Sequence, residues 1–166
     1  MAQAIILMGV SGSGKTTVGE LLAHALGWPF YDADNFHSPA NVERMRRGVA
    51  LTDAERGPWL AALARLIGEA LANDQSLVLG CSALKEAYRT RLKPPCATPA
   101  AVRFVYLRLP IEVAAARLKD RRGHFMPASL VPSQFAALEE PADAIVIDAT
   151  QPPEAIVGQI RRALAL

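Results

Sequence analysis

The sequence predicts an α/β fold in which a parallel β-sheet is wrapped by helices. Three observations carry that expectation. Short apolar runs alternate with segments of helical spacing along the whole chain, the pattern of strands joined by helical crossovers. The first apolar run ends in a glycine-rich turn that opens straight into a helical segment. Hydrophobic residues make up 51% and charged residues 20% of the 166 residues, enough apolar material for one packed interior at a length that fits one domain.

The elements follow in order. Ala4 to Met8 reads as the first strand. Thr16 to Leu26 reads as a helix, with Val18, Leu21, Leu22, Ala25 and Leu26 at helical spacing and Gly27 as its stop. Phe30–Tyr31 is a short second strand running into Asp32. Two helices follow, Pro39–Arg47 and Pro58–Ala72, separated by a turn-like stretch over 48–57. Ser76–Gly80 is a third strand, and Leu84–Leu92 a helix closed by Pro94 and Pro95. Val102–Leu107 is a fourth strand, followed by a helix over Ile111–Arg121 that breaks at Arg122–Pro127. Ala128–Leu138 reads as helical provided that Pro132 falls in the first turn. Ala144–Ile147 is a fifth strand and Pro153–Ala165 the closing helix. No linker divides the chain, so residues 1–166 read as one domain.

Composition excludes several classes. A net charge of +2 is too small for a nucleic-acid binder. No apolar run approaches the roughly 18 residues of a membrane span. Met1 to Met8 lacks a basic region and a cleavage site, so it reads as a buried strand of a cytoplasmic protein. Cys81 and Cys96 stand apart from any cysteine or histidine cluster and are expected in or near the core.

The sharpest chemical signal is Gly9-Val10-Ser11-Gly12-Ser13-Gly14-Lys15-Thr16. It matches G-x-x-x-x-G-K-[ST] in full, between a strand and a helix, the context a phosphate loop requires. Glycines let successive backbone N–H groups turn into one concavity, and the helix beginning near Lys15 adds its positive end. Lys15 is expected to reach the β- and γ-phosphates of a nucleotide and Thr16 to hold Mg²⁺, with Gly9, Val10, Ser11, Gly12, Ser13, Gly14 and Thr17 completing the nucleotide site. Guanine-reading GTPases usually carry N-K-x-D, which this chain lacks. The third strand ends in Cys81-Ser82 rather than in an aspartate, so the acid that supports the metal comes from elsewhere.

Asp32-Ala33-Asp34 supplies it. Both acids follow the second strand at the carboxyl edge of the sheet, where the phosphate loop also lies. Asp32 is assigned to the metal and Asp34 to the attacking hydroxyl, whose proton it accepts; the reverse assignment is open. A polar loop that merely caps the next helix is the competing reading.

At this point the sequence resembles the gluconate kinases (gluconokinases). The resemblance is carried by the phosphate loop, Asp32-Ala33-Asp34-Asn35-Phe36-His37, Asn41-Val42-Glu43-Arg44-Met45 and Asp53-Ala54-Glu55-Arg56-Gly57-Pro58-Trp59-Leu60. It continues through Cys81-Ser82-Ala83-Leu84-Lys85 with Tyr88-Arg89, Gly123-His124-Phe125-Met126-Pro127, Ser133-Gln134-Phe135 and Leu138-Glu139-Glu140-Pro141. It runs nearly end to end with the motifs in order. Ala33, Ala50, Glu55 and Pro132 depart from the usual pattern, none of them a group assigned to chemistry. The resemblance implies a P-loop NTPase-type three-layer sandwich with a five-stranded parallel sheet, an acceptor-binding helical segment at about 35–72 and a helical lid at about 120–135. It also implies ATP and Mg²⁺ as cofactors, D-gluconate as substrate, 6-phosphogluconate as product, and a homodimer.

A sugar-acid pocket needs cations and polar groups. Lys85 and Arg89, four apart on a helix, are the leading candidates for the carboxylate, with Arg56, His37 and Gln134 as further acceptor contacts. Arg121 is the lid arginine expected to stabilise the transferring phosphoryl group, Gly123 the joint, and Arg117 the arginine that similar kinases stack on adenine. An alternative is a kinase of the same build acting on shikimate, a nucleoside or another sugar acid; a nucleotide-binding regulatory module without an acceptor is a rival of another class. The whole scheme requires Asp32 and Asp34 to share one crevice with Lys15.

Overall fold

The computed structural model describes residues 1–95, 97–121 and 127–166. Cys96, the Gly123 joint, Arg122 and His124 lie outside the described residues.

Five parallel strands form the sheet: β1 (Ala4–Met8), β2 (Phe30–Asp32), β3 (Leu77–Gly80), β4 (Val102–Arg108) and β5 (Ile145–Asp148), in the order β2-β3-β1-β4-β5. β1 is buried along its whole length, which is why it reads as an unbroken apolar run rather than an alternating one. Its side chains still alternate between layers. Ile5 and Leu7 face one core, while Ala4, Ile6 and Met8 face the other.

Helices cover both faces. α1 (Lys15–Leu26), α5 (Ile111–Asp120) and α7 (Pro153–Leu164) bury Val18, Leu22, Leu118, Ile156 and Ile160 against the first core. α3 (Asp53–Ala72) and α4 (Glu86–Leu92) bury Leu60, Leu63, Ile67 and Leu92 against the second. α2 (Pro39–Arg46) and α6 (Val131–Ala137) lie over the carboxyl edge, where Met45, Leu51 and Leu130 form a small third cluster separate from both cores. The chain leaves β1 toward β2 and leaves β4 toward β5 on the opposite side, which opens a crevice at the carboxyl ends.

Three boundaries differ from the sequence reading for physical reasons. α3 begins at Asp53, not at Pro58, because Thr52 and Glu55 form a reciprocal capping box. Glu55 N–H donates to Thr52 Oγ1 at 3.2 Å, and Thr52 N–H to Glu55 Oε2 at 2.7 Å. Pro58 therefore sits inside the helix, where it lacks an N–H for the turn before it. α4 begins at Glu86, with Lys85 as its extended N-cap. The expected helix over 128–138 is a 3-10 turn, Ala128–Leu130, followed by α6, with Pro132 in the first turn where it costs no hydrogen bond. Cys81 is buried, and burial pushes its thiol up to about 12. Among the described residues no helix is long and apolar enough to cross a membrane.

Candidate active site

The phosphate loop joins β1 to α1 as expected. At Gly9 (φ +147°) a Cβ would lie 2.8 Å from Leu107 O, and at Gly12 (φ +85°) 3.1 Å from Ala114 O, so both turns require glycine. Lys15 folds back over the loop, its Nζ donating to Gly9 O at 2.9 Å and Val10 O at 2.8 Å. Burial lowers its pKa, and the charges of Asp34 and Asp32 oppose that shift. Lys15 is thus a half-buried cation held on loop carbonyls near two carboxylates.

The paired acids share the crevice with Lys15, Thr16 and Gly12. Asp32 does two things at once. Its Oδ1 accepts from Asp34 N–H at 2.9 Å and caps the 3-10 turn Ala33–Phe36, while its Oδ2 accepts from Thr16 Oγ1 at 3.2 Å. The capping reading and the metal reading are thus one geometry: the cap aims the second oxygen at Thr16. Two hard oxygen donors side by side at a phosphate loop fit Mg²⁺. Asp34 lines the same crevice and acts on Lys15 through space.

The candidate acceptor groups His37, Arg56 and Gln134 line the same crevice. His37 stacks on Trp59 with ring centroids 4.3 Å apart and 13° between planes, and Trp59 Nε1 donates to Ala33 O at 2.7 Å. Burial first, then the nearby Arg56 charge, pushes the His37 pKa down to about 4. The ring is therefore neutral near pH 7 and offers a hydrogen bond rather than a charge. Among the described residues, His37 Nδ1 and Arg56 Nε are buried and have no hydrogen-bond partner, and both residues line the crevice. Unpaired buried polar atoms are costly, and these two belong to side chains that line one cleft.

Arg56 and Lys85 sit over Tyr88, each 5.6 Å from the ring centroid. Asp53 accepts from Lys85 Nζ at 3.3 Å and from the Tyr88 hydroxyl. Lys85, Arg56 and Gln134 line a side chamber continuous with the crevice through Arg56 and Gln134.

The placement of Arg89 corrects the sequence reading. Because Lys85 precedes the helix, the two do not share a helix face. Arg89 is buried and points inward, its Nη1 donating to Ala83 O at 2.9 Å and Leu84 O at 3.1 Å. It is not a lining group of the crevice or the side chamber. It holds the turn after β3 instead. Ala83 adopts φ +44°, a strained conformation for a residue with a Cβ, and the turn presents Ser82 and Leu84 to the crevice. That strain leaves no mark in the sequence, where Ala83 reads as an ordinary small residue.

Arg117 and Arg121 flank the nucleotide side. Arg117 Nη1 donates to Gly12 O at 3.0 Å and Nη2 to Ala149 O at 2.9 Å, tying the phosphate loop to the turn after β5. With Thr17, Arg121, Gln151 and Pro153 it lines a groove beside the loop. Arg121, the C-cap of α5, lines both that groove and the crevice. Gln134, from α6, meets the loop directly: its Oε1 accepts from Ser11 N–H at 2.7 Å and its Nε2 donates to Ser11 Oγ at 3.0 Å. Residues outside the sequence reading also contribute. Trp59 supplies the platform under His37, and Met45, Leu51 and Leu130 wall the crevice. All four look like core residues by type, which is why residue chemistry alone passes over them.

The comparisons with known proteins agree with this geometry. A family profile described as shikimate kinase matches residues 11–165. The chain is 44% identical over 161 residues to the gluconokinase of Gluconobacter oxydans, covering 95% of this chain and 89% of that protein. It is 39% identical over 157 residues to the thermoresistant gluconokinase of Escherichia coli, covering 92% and 88%. Among solved structures it matches a gluconokinase from Sinorhizobium meliloti with a TM-score of 0.83 at 43% identity, over 98% of this chain and 91% of that one. A shikimate kinase from Aquifex aeolicus shares the fold at a TM-score of 0.59 and 22% identity, over 98% and 96%. A nucleotide-binding kinase fold, a complete phosphate loop and near end-to-end likeness lead to one conclusion: this chain belongs to the gluconokinase family, within the shikimate-kinase-type P-loop kinases.

Proposed function

We propose that the protein transfers the γ-phosphoryl group of ATP to the primary hydroxyl of D-gluconate, giving 6-phospho-D-gluconate and ADP. The observation that carries this reading is the pairing, across one crevice, of Lys15, Asp32 and Asp34 with the unsatisfied polar atoms of His37 and Arg56. A phosphate loop, two carboxylates and a set of cationic and polar side chains line that one crevice, which is what transfer from a nucleotide to a polyol acid requires.

In this scheme the acceptor hydroxyl attacks Pγ, the bond from Pγ to the bridging oxygen breaks, and the proton passes to the Asp34 carboxylate. Lys15 leaves its loop carbonyls for the β- and γ-phosphates. Thr16 and Asp32 hold Mg²⁺, which when bound neutralises phosphate charge. Arg121 adds a cation on the transferring group, and Arg117 borders the adenine in the groove beside the loop. Arg56 and Lys85, which both approach the Tyr88 ring, receive the gluconate carboxylate. His37, neutral, and Gln134 meet its hydroxyls. Residues 35–72 then act as the acceptor segment and 120–135 as the lid of a single kinase domain. A cytoplasmic setting and a homodimer complete the reading on the family likeness alone.

A coupled ADP-release assay across D-gluconate, shikimate, nucleosides and other sugar acids tests it. Turnover with gluconate above the no-acceptor background is expected, and its absence sinks the assignment.

A further inference from the structure

α6 belongs to neither strand nor helix of the phosphate-loop unit, yet it is bonded to that loop. The Gln134 carboxamide meets Ser11 at two points, accepting from the backbone N–H and donating to Oγ, across 123 positions of chain. A carboxamide is suited to this because it carries one acceptor and one donor atom side by side. The 3-10 turn that leads into this helix packs on the acceptor segment. Ser133 Oγ donates to Leu130 O at 2.7 Å at the start of α6, and Leu130 packs on Met45 and Leu51 around α2 and its exit. Gln134 also lines both the crevice and the side chamber. One short helix is thus fastened to the loop that holds phosphate and to the wall that meets the acceptor.

We propose that Gln134 is a positioning residue that couples the two substrate sites, so that nucleotide and acceptor each tighten the binding of the other. A nucleotide seated on the loop holds Ser11 in place, and the clasp then holds α6 against the acceptor chamber. An acceptor seated against α6 returns the effect to Ser11, since coupling between two sites is reciprocal. The contact is direct, so no relay through intervening residues is needed. The inference rests on the proposed acceptor.

Calorimetric titration of D-gluconate, with and without Mg²⁺ and the non-hydrolysable nucleotide AMPPNP, reads the coupling. In the unaltered protein the nucleotide is expected to lower the gluconate Kd on the order of tenfold. Gln134→Ala is expected to bring that ratio to about one, an effect that a general loss of stability does not mimic. Ser11→Ala tests the clasp from its other end and is expected to lower the ratio in part, because the backbone bond remains. A ratio near one in the unaltered protein overturns the inference, as does an unchanged ratio in Gln134→Ala. Should Gln134→Ala fail to fold, an unchanged ratio in Ser11→Ala overturns it. Turnover with gluconate is measured in parallel: its absence defeats the proposed function, whereas turnover with no coupling defeats only this inference.

Discussion

The nucleotide half of the cleft is made of backbone from one stretch of sequence, residues 9–17, set between a fully buried strand and a helix packed on the main core. The proposed acceptor half is made of side chains from separate elements: His37 after a 3-10 turn, Arg56 on α3, Lys85 before α4 and Gln134 on α6. Its apolar support is divided between Trp59 and Tyr88 of the second core and the separate cluster of Met45, Leu51 and Leu130. Backbone cradles are fixed by the fold that makes them. A pocket of side chains gathered from several elements is easier to retune by substitution. In this kinase the backbone cradle is set by one strand–loop–helix unit, whereas the proposed acceptor pocket depends on how several elements meet.

If that contrast holds, damage to the two halves has different signatures. The largest expected effect is Lys15→Ala, which lowers kcat by roughly 10³-fold, because a pre-placed cation at the transferring group is lost; steady-state ADP release measures it. Next is Asp34→Asn, expected to lower kcat by about 10²- to 10³-fold while ATP binding changes little. A variant at Asp34 with full turnover refutes its role with the acceptor hydroxyl. Arg56→Ala belongs to the other half and is expected to raise KM for gluconate about 10- to 100-fold with KM for ATP nearly unchanged. An equal rise in both constants breaks the division between the halves.

Smaller effects sharpen it. Arg89→Ala removes two charge-assisted bonds to the turn after β3, and a stability loss of roughly 2 kcal/mol is expected in chemical denaturation. Ala83→Gly, which relieves the φ of +44°, is expected to restore part of that loss in the double variant. No recovery there means that Arg89 does not act through the Ala83 turn. A further effect is in pH dependence. His37 ordinarily titrates near 6.5 but at about 4 in the folded chain. Between those values the unfolded chain binds a proton that the folded chain does not, so this ring's contribution to stability falls as pH drops through the window. Below about 4 both states are protonated and the loss is complete. His37→Gln is expected to flatten the melting temperature against pH over that interval, relative to the unaltered protein.

The same contrast explains what could be read early. The phosphate loop was legible because its chemistry lies in consecutive residues whose order is the structure, and the strands because continuous burial leaves continuous apolar runs. Asp32 and Asp34 were legible by their place after the second strand, although the dual use of Asp32 as cap and as neighbour of Thr16 needed coordinates. The start of α3 was written in Thr52 and Glu55 but was outweighed by Pro58, whose preference for the first helical turn drew the boundary inward. Arg89 misled because a cation four residues after another suggests a shared helix face. One extended residue at Lys85 was enough to separate them.

By itself the sequence determined the α/β architecture, the phosphate site and the family, because each depends on contiguous residues or on periodicity within one element. The tertiary structure alone decided which cations line the crevice, that burial lowers the His37 pKa, that Arg89 props a strained turn, and that Gln134 reaches Ser11. Those facts depend on burial and on distances between residues far apart in the chain, and such distances exist only once the layers have packed.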